Sequence, residues 1–298
     1  MIVRCPLPER ELDFSGEIAR HSGDKTVVYQ EVQGQKLLMS LFEPPKEVQE
    51  TSRPLLVLIH GGGWQGRKVF DDQADWAGDY LGFLGRYFAD RGWLCASIDY
   101  RLMRENGQAA GFELIDLCQD CADAVAWLEA HASELRIDRS RTAVLGESAG
   151  GYLAAALTTL PMGDRAFFKA AVLVNAITEL SDPRWGRKVA ESSAHPLLKG
   201  KSRAEAIERL SPVMHLTEGV CPTLLVHGEA DTVVFPFHSQ KYHDLLKAAG
   251  GDVRLEWIEQ TNHAFLLAEY MQEKGVSLRA ASLAVQRIAQ WLDETMGA

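Results

Sequence analysis

From residue 55 onward, short and largely apolar runs alternate with longer segments of helical periodicity, and this alternation constrains the fold most. The apolar runs are Leu55–Ile59, Leu94–Ile98, Thr142–Leu145, Ala170–Val174, Thr223–Val226 and Val253–Ile258. A strand with no polar alternation must be covered on both faces. Between and after them, Ala74–Asp90, Phe112–His131, Ala149–Leu160, Pro236–Ala249 and Ser277–Met296 read as helices. In Phe112–His131 the residues Leu114, Leu117, Cys118, Cys121, Val125 and Leu128 repeat at threes and fours. Strand–helix alternation implies right-handed crossovers and a mostly parallel sheet with helices on both sides.

Upstream, the β-rich runs Thr26–Val32 and Lys36–Phe42 flank Gln33-Gly34-Gln35, which predicts an antiparallel hairpin ended by Pro44-Pro45. Residues 175–220 contain no strand pattern, only Ser181-Asp182-Pro183-Arg184-Trp185 and a helical piece at Ser202–Leu210. An excursion of about 45 residues exceeds ordinary loops, so a small cap over one face is expected. Residues 1–298 are therefore read as one α/β domain carrying that insertion.

The sharpest motif is Gly146-Glu147-Ser148-Ala149-Gly150-Gly151, with a buried strand leading in and a small-residue helix leading out. A reversal this tight places the serine in strained backbone and leaves no room for side chains two positions away. It presents Ser148 as a nucleophile above the sheet, at the positive end of a helix. The second motif, His60-Gly61-Gly62-Gly63-Trp64, directly follows Leu55–Ile59. Its backbone N–H groups suit a developing oxyanion. No Lys-Ser/Thr follows, which excludes a P-loop, and no G-x-G-x-x-G opens a helix there.

Composition bounds the partners. The net charge of −10 and the lack of a basic run argue against nucleic acid. No uninterrupted apolar stretch is long enough for a membrane helix. Met1–Leu12 lacks the apolar core of a secretory signal, and five cysteines do not pair into a framework, so a cytoplasmic location is expected. Cys118 and Cys121 form a C-x-x-C inside a helical pattern, read as two buried small hydrophobes, with no metal site expected.

Together, His60–Trp64 and Gly146–Gly151 resemble the HGGG-bearing esterases of the hormone-sensitive-lipase group, which have the α/β-hydrolase fold. The resemblance runs from about Leu55 to Ala268 and includes Asp99-Tyr100-Arg101-Leu102. It implies oxyanion donors at Gly62, Gly63 and Ala149, and a catalytic order of serine, acid, histidine. The acid then falls at Asp231, in His227-Gly228-Glu229-Ala230-Asp231, and the histidine at His263 in the loop after Val253–Ile258. Glu229 is the rival acid. Among other histidines, His60 and His227 are expected to shape loops, His238 and His243 to be exposed, and His195 and His215 to belong to the cap region, with substrate contact the lesser reading for either.

Two departures bear on substrate. Glu147 stands where many of that group have Asp, and Gly228–Val234 lacks their D-P-L-x-D. That segment is closer to small acetyl- and feruloyl-type esterases and kynurenine formamidase-like enzymes, as is His60–Gln65. The resemblance implies a serine carboxylesterase acting on small soluble acetyl-type esters through an acyl-enzyme, without cofactor. An arylformamidase, or a non-catalytic small-molecule receptor, are the alternatives. Trp64, Glu147 and Trp185 are candidate substrate contacts, although either indole could instead pack the cap onto the body.

Overall fold

A computed structural model of the chain describes residues 1–20, 22–48, 51–65, 78–105, 108–189, 194–263, 265–267 and 277–297. In chain order the N-terminal elements are β1 (Ile2–Cys5), α1 (Ser15–Ala19), β2 (Lys25–Val32), β3 (Gln35–Phe42) and β4 (Arg53–Ile59). Next come α2 (Gly78–Ala89), β5 (Leu94–Ile98), the two-residue strands β6 (Arg104–Glu105) and β7 (Gln108–Ala109), and α3 (Leu114–Ala130). The serine motif joins β8 (Ile137–Glu147) to α4 (Ala149–Thr159), followed by β9 (Ala170–Val174). After these lie α5 (Pro183–Gly186), α6 (Arg203–Leu210), β10 (Thr223–Gly228), α7 (Phe237–Ala248), β11 (Val253–Ile258) and α8 (Arg279–Met296).

Among the described residues, nine strands form one sheet in the order β1-β11-β10-β9-β8-β4-β5-β3-β2. All pairings are parallel except β2–β3 and β3–β5, so β3 alone runs against the rest. The hairpin turns through Gln33 and Gly34, both at positive φ (50° and 82°), the backbone of a two-residue turn matched to strand twist.

The alternating faces of β4 explain the layers. Leu55, Val57 and Ile59 pack with α3, α4 and α7, whereas Leu56 and Leu58 pack with α2 and α8. Every residue of β4 and β5 is buried, as the unbroken apolar runs require. The expected three-layer arrangement is therefore present.

Boundaries shift in instructive ways. The helix expected over Ala74–Asp90 is found from Gly78, and 74–77 lie outside the described residues. β8 begins five residues before the apolar stretch, because Ile137 pairs with Arg53 through a register shift. β10 continues through His227 and Gly228, which read as loop in the sequence. β1 went unrecognised, since four residues before a proline gain strand order only from parallel pairing with β11.

Between β9 and β10, where the cap was expected, the chain forms α5, α6 and a 3₁₀ turn at Pro212–His215 and no strand among the described residues. Ser202 and Glu205 close a capping box that starts α6. The cap is fastened to the body by the Tyr152 hydroxyl, which donates to the Leu210 carbonyl at 2.9 Å.

Beneath the sheet edge that carries the glycine loop, Arg101 and Asp120 form a buried, two-pronged ion pair at 2.7–3.0 Å. Asp120 also accepts the Arg101 backbone N–H at 2.9 Å. Burial pushes the Asp120 carboxyl upward even with this partner. Asp120→Ala would strand the guanidinium in the interior, and we expect a loss of about 3–5 kcal/mol in urea unfolding.

Candidate active site

Close backbone approach builds the serine turn. A Cβ on Gly146 would stand 2.1 Å from the Gly150 carbonyl oxygen, and one on Gly150 would stand 2.1 Å from the Ile59 oxygen. No side chain fits either place, so the helix α4 can start directly above the end of β4. Ser148 itself sits at φ 55°, ψ −117°, outside the basins that ordinary residues favour. Its N–H donates to the Val174 carbonyl at 2.8 Å, which pins the turn to β9. The Ala149 N–H, first of α4, has no intrahelical acceptor.

The glycine loop lies against this turn. A Cβ on Gly61 would meet Glu147 Oε2 at 2.5 Å and the Ser148 Cβ at 3.2 Å. Gly62, Gly63 and Trp64 follow at φ 97°, 62° and 62°. Among the described residues none accepts a hydrogen bond from the Gly62 or Gly63 N–H. His60 and Tyr100 support the loop from below: their rings stack at 4.2 Å, and the Tyr100 hydroxyl donates to the His60 carbonyl at 2.8 Å.

Asp231 and His263 come from the ends of β10 and β11. His263 Nε2 lies 2.9 Å from Ser148 Oγ, and Nδ1 lies 2.6 Å from Asp231 Oδ2. These partners assign the tautomer: Nδ1–H donates to the carboxylate, and Nε2 accepts from the hydroxyl. The other oxygen, Asp231 Oδ1, accepts the N–H groups of Val233 at 2.8 Å and Val234 at 3.0 Å. His227 donates from Nε2 to the Val234 carbonyl at 2.9 Å, holding the same loop. Glu229, the rival acid, pairs instead with Arg4 at 3.2 Å.

Several expectations are corrected. His238 and His243 are buried, not exposed, because the segment after β9 covers α7. His238 Nδ1 accepts the Thr178 N–H, and its own carbonyl accepts the Thr178 hydroxyl at 2.8 Å. Trp64 is wholly buried and Glu147 is 1 % exposed, so neither offers surface to a ligand. Trp64 packs edge-on against Tyr152 and Trp185 and donates its indole N–H to the Ala149 carbonyl at 3.0 Å. Trp185 takes the same packing role. His195 and His215 are engaged with cap backbone at Leu197 and Arg209. All five cysteines are free thiols, and burial raises Cys118 to about 12. Among the described residues no cluster of His, Cys, Asp and Glu could hold a metal ion, and no helix is long and apolar enough to cross a membrane.

Three residues that organise the site were missed in the sequence. Asn262 accepts the Thr232 N–H at 3.0 Å and the His263 N–H at 2.8 Å, tying the acid and histidine loops. Gly228 permits that contact, since its Cβ would stand 2.5 Å from the Thr261 carbonyl oxygen. Asn175 accepts the Gly228 N–H at 3.0 Å. The only local signal was an asparagine or glycine beside a strand end, which is common in any loop.

Sheet order, strand–turn–helix serine and the two loops at neighbouring strand ends define an α/β-hydrolase. The chain belongs to the BD-FAE family, which it matches over residues 39–246. It is 26% identical to the esterase LipC of Mycobacterium tuberculosis over 83% of this chain and 61% of that protein. It is 26% identical to the probable carboxylic ester hydrolase LipM of the same organism, over 98% of this chain and 65% of that one. The chain thus spans less than two thirds of the length of these relatives. Among solved structures, apo esterase 2 of Thermogutta terrifontis superposes with a TM-score of 0.72 at 25% identity, covering 91% of this chain and 94% of that one.

The electrostatics centre on His263. Burial alone would disfavour the imidazolium, but the Asp231 hydrogen bond and the negative charge of Glu147, 3.9 Å from Nε2, outweigh it. His263 therefore titrates above its ordinary value. Burial likewise opposes ionisation of Asp231, yet hydrogen bonds from His227 and His263 hold its carboxyl well below the usual range. Glu147→Gln removes a charge that favours the imidazolium, so the His263 midpoint followed by NMR should move down. An unchanged or raised midpoint would contradict this.

Proposed function

We propose that this protein is a serine carboxylesterase that hydrolyses short-chain acyl esters of small molecules through an acyl-enzyme. The carrying observation is the unbroken Asp231–His263–Ser148 hydrogen-bond relay, 2.6 and 2.9 Å, ending on a serine in strained backbone. In the proposed reaction Ser148 Oγ attacks the ester carbonyl while His263 Nε2 takes the hydroxyl proton. The carbonyl oxygen becomes an oxyanion received by the N–H groups of Gly62, Gly63 and Ala149. Collapse breaks the ester C–O bond, and His263 returns its proton to the leaving alkoxide. Water, deprotonated by His263, then attacks the acyl-enzyme and releases the acid and Ser148. Asp231 holds the imidazole tautomer and stabilises the imidazolium throughout.

The relatives support the ester class: LipC is an esterase, and the T. terrifontis esterase 2 has been solved with butyrate and with propionate bound. Acids of that size favour a short acyl group. The five free thiols, four of them buried, support action in a reducing compartment such as the cytoplasm. We further propose that residues 1–298 act as one domain, with 175–220 as its cap. The resemblance of His60–Gln65 to formamidases keeps a formyl amide as the second substrate to assay.

Turnover of p-nitrophenyl acetate by wild type and Ser148→Ala tests the reading. Loss of the nucleophile should lower kcat by roughly 10³-fold or more, and a variant with full kcat would refute it. A p-nitrophenyl series from acetate to decanoate, run beside N-formylkynurenine, should peak at four carbons or fewer, with the formamide slower. For wild type, kcat/KM should fall as pH drops through the raised His263 midpoint, because only the neutral imidazole accepts the serine proton. A profile flat across that midpoint would assign the base elsewhere.

A further inference from the structure

The loop from Gly62 to Trp64 runs through three consecutive residues at positive φ, one of them a tryptophan. A bulky side chain in that region is strained, and such backbone persists only where its surroundings over-determine it. The three carbonyls of this stretch show how that is achieved. Gly62 O accepts the Gln65 N–H at 3.1 Å, and Trp64 O accepts the Met103 N–H at 2.8 Å. Between them, Gly63 O accepts the Lys188 ammonium at 2.8 Å.

Of these three ties, the Lys188 bond is the one made by a side chain, and the one that comes from the cap. Lys188 follows α5 and is half-buried, its Nζ 5.5 Å from the Trp64 ring centroid and 6.0 Å from that of Trp185. The two indoles meet edge-on at 5.8 Å, so the ammonium is held against an aromatic pair as well as a carbonyl. Trp64 then donates to the Ala149 carbonyl. One chain of contacts therefore runs from the cap to both segments proposed to carry oxyanion donors. The Cβ position of Gly63 is open except for Lys188 Nζ at 4.0 Å, so no packing replaces that bond on this side.

We infer that Lys188 is a positioning residue: its bond to the Gly63 carbonyl fixes the Gly63–Trp64 peptide plane, which adjoins at the Gly63 Cα the plane carrying the Gly63 N–H and so holds that N–H toward the oxyanion. The inference rests on the esterase reading above and assigns no contact between Lys188 and substrate. It also makes seating of the cap a condition for full assembly of the oxyanion hole. A loop that is merely packed would tolerate loss of the charge, whereas a loop held by this bond loses its aim in the transition state.

The test uses the full chain with p-nitrophenyl acetate, comparing wild type, Ser148→Ala, Lys188→Met and Lys188→Arg. Removing an oxyanion donor outright costs about 10²–10³ in kcat, and misaiming one should cost about 10-fold in Lys188→Met. KM should stay within about 2-fold, because the lost interaction belongs to the transition state. Lys188→Arg keeps a cationic donor that stacks on indoles, and should recover most of kcat. Labelling of Ser148 by a fluorophosphonate should reach completion in every lysine variant but proceed more slowly in Lys188→Met. Wild-type kcat in Lys188→Met, a loss confined to KM, or no recovery by arginine would overturn the inference. Should Lys188→Met not fold, Lys188→Leu takes its place with the same outcomes. Full turnover by Ser148→Ala would instead remove the esterase reading itself, whatever the lysine variants do.

Discussion

Helix α4 begins over the end of strand β4 at a separation that admits no side chain, because Gly150 rests against the Ile59 and His60 carbonyls. That contact sets the position of Ser148 relative to the glycine loop. It also requires Gly146 to lie under Gly150, which forces the strand to reverse into the helix within one residue. The rest of the sheet is arranged to serve this geometry. β9 receives the Ser148 N–H, while β10 and β11 continue the parallel order so that their ends bring the acid and histidine loops alongside. Where Gly228 lacks a side chain, those two loops meet, and Asn262 bonds across the seam.

Charge is placed with equal economy of space. Two carboxylates, Asp231 and Glu147, lie on either side of the His263 ring at 2.6 and 3.9 Å from its nitrogens. Asp231 is tied down by two backbone N–H groups and receives the Nδ1 proton, which fixes ring orientation. Glu147 sits beneath the glycine loop and acts through its field. Both favour the imidazolium, the form that a proton taken from Ser148 would create. The molecule's net charge of −10 has no part in this, because surface charge is screened by water and salt while these groups are largely buried.

Features that depend on local chain chemistry were legible in the sequence. The strands of the parallel sheet, the hairpin, the helical piece at Ser202–Leu210 and the glycines of both motifs follow from periodicity, turn chemistry and steric need. The order Ser148, Asp231, His263 came from resemblance, and the geometry brings those three together. Features made by partners distant in the chain were not legible. β1 needs β11; the burial of His238 needs Thr178 and the cap; Asn262 needs Thr232. Trp64 shows the same limit from the other side. Its neighbours in sequence suggested a pocket wall, but Tyr152, Trp185 and the Ala149 carbonyl enclose it.

Backbone strain marks where these distant constraints converge. Among the described residues, the non-glycine positions at positive φ are Gln33, Trp64, Arg136, Ser148, Asn175 and Gln260. Gln33 belongs to the hairpin turn and Arg136 precedes β8, while the other four each follow a parallel strand: β4, β8, β9 and β11. They stand on the sheet edge that holds the serine, where crossover topology gathers the loops. Such conformations cost on the order of 1–3 kcal/mol each, and hydrogen bonds from neighbouring segments hold three of these four in place. Asn175 donates its N–H to Val226 O and accepts from Gly228; Ser148 donates to Val174 O; Trp64 O accepts from Met103. Trp64, Ser148 and Asn175 are thus each held by a neighbouring segment, which ties the loops after β4, β8 and β9 together. A site assembled that way keeps its donors aligned before any ligand arrives, which is the condition under which fixed dipoles stabilise a developing charge.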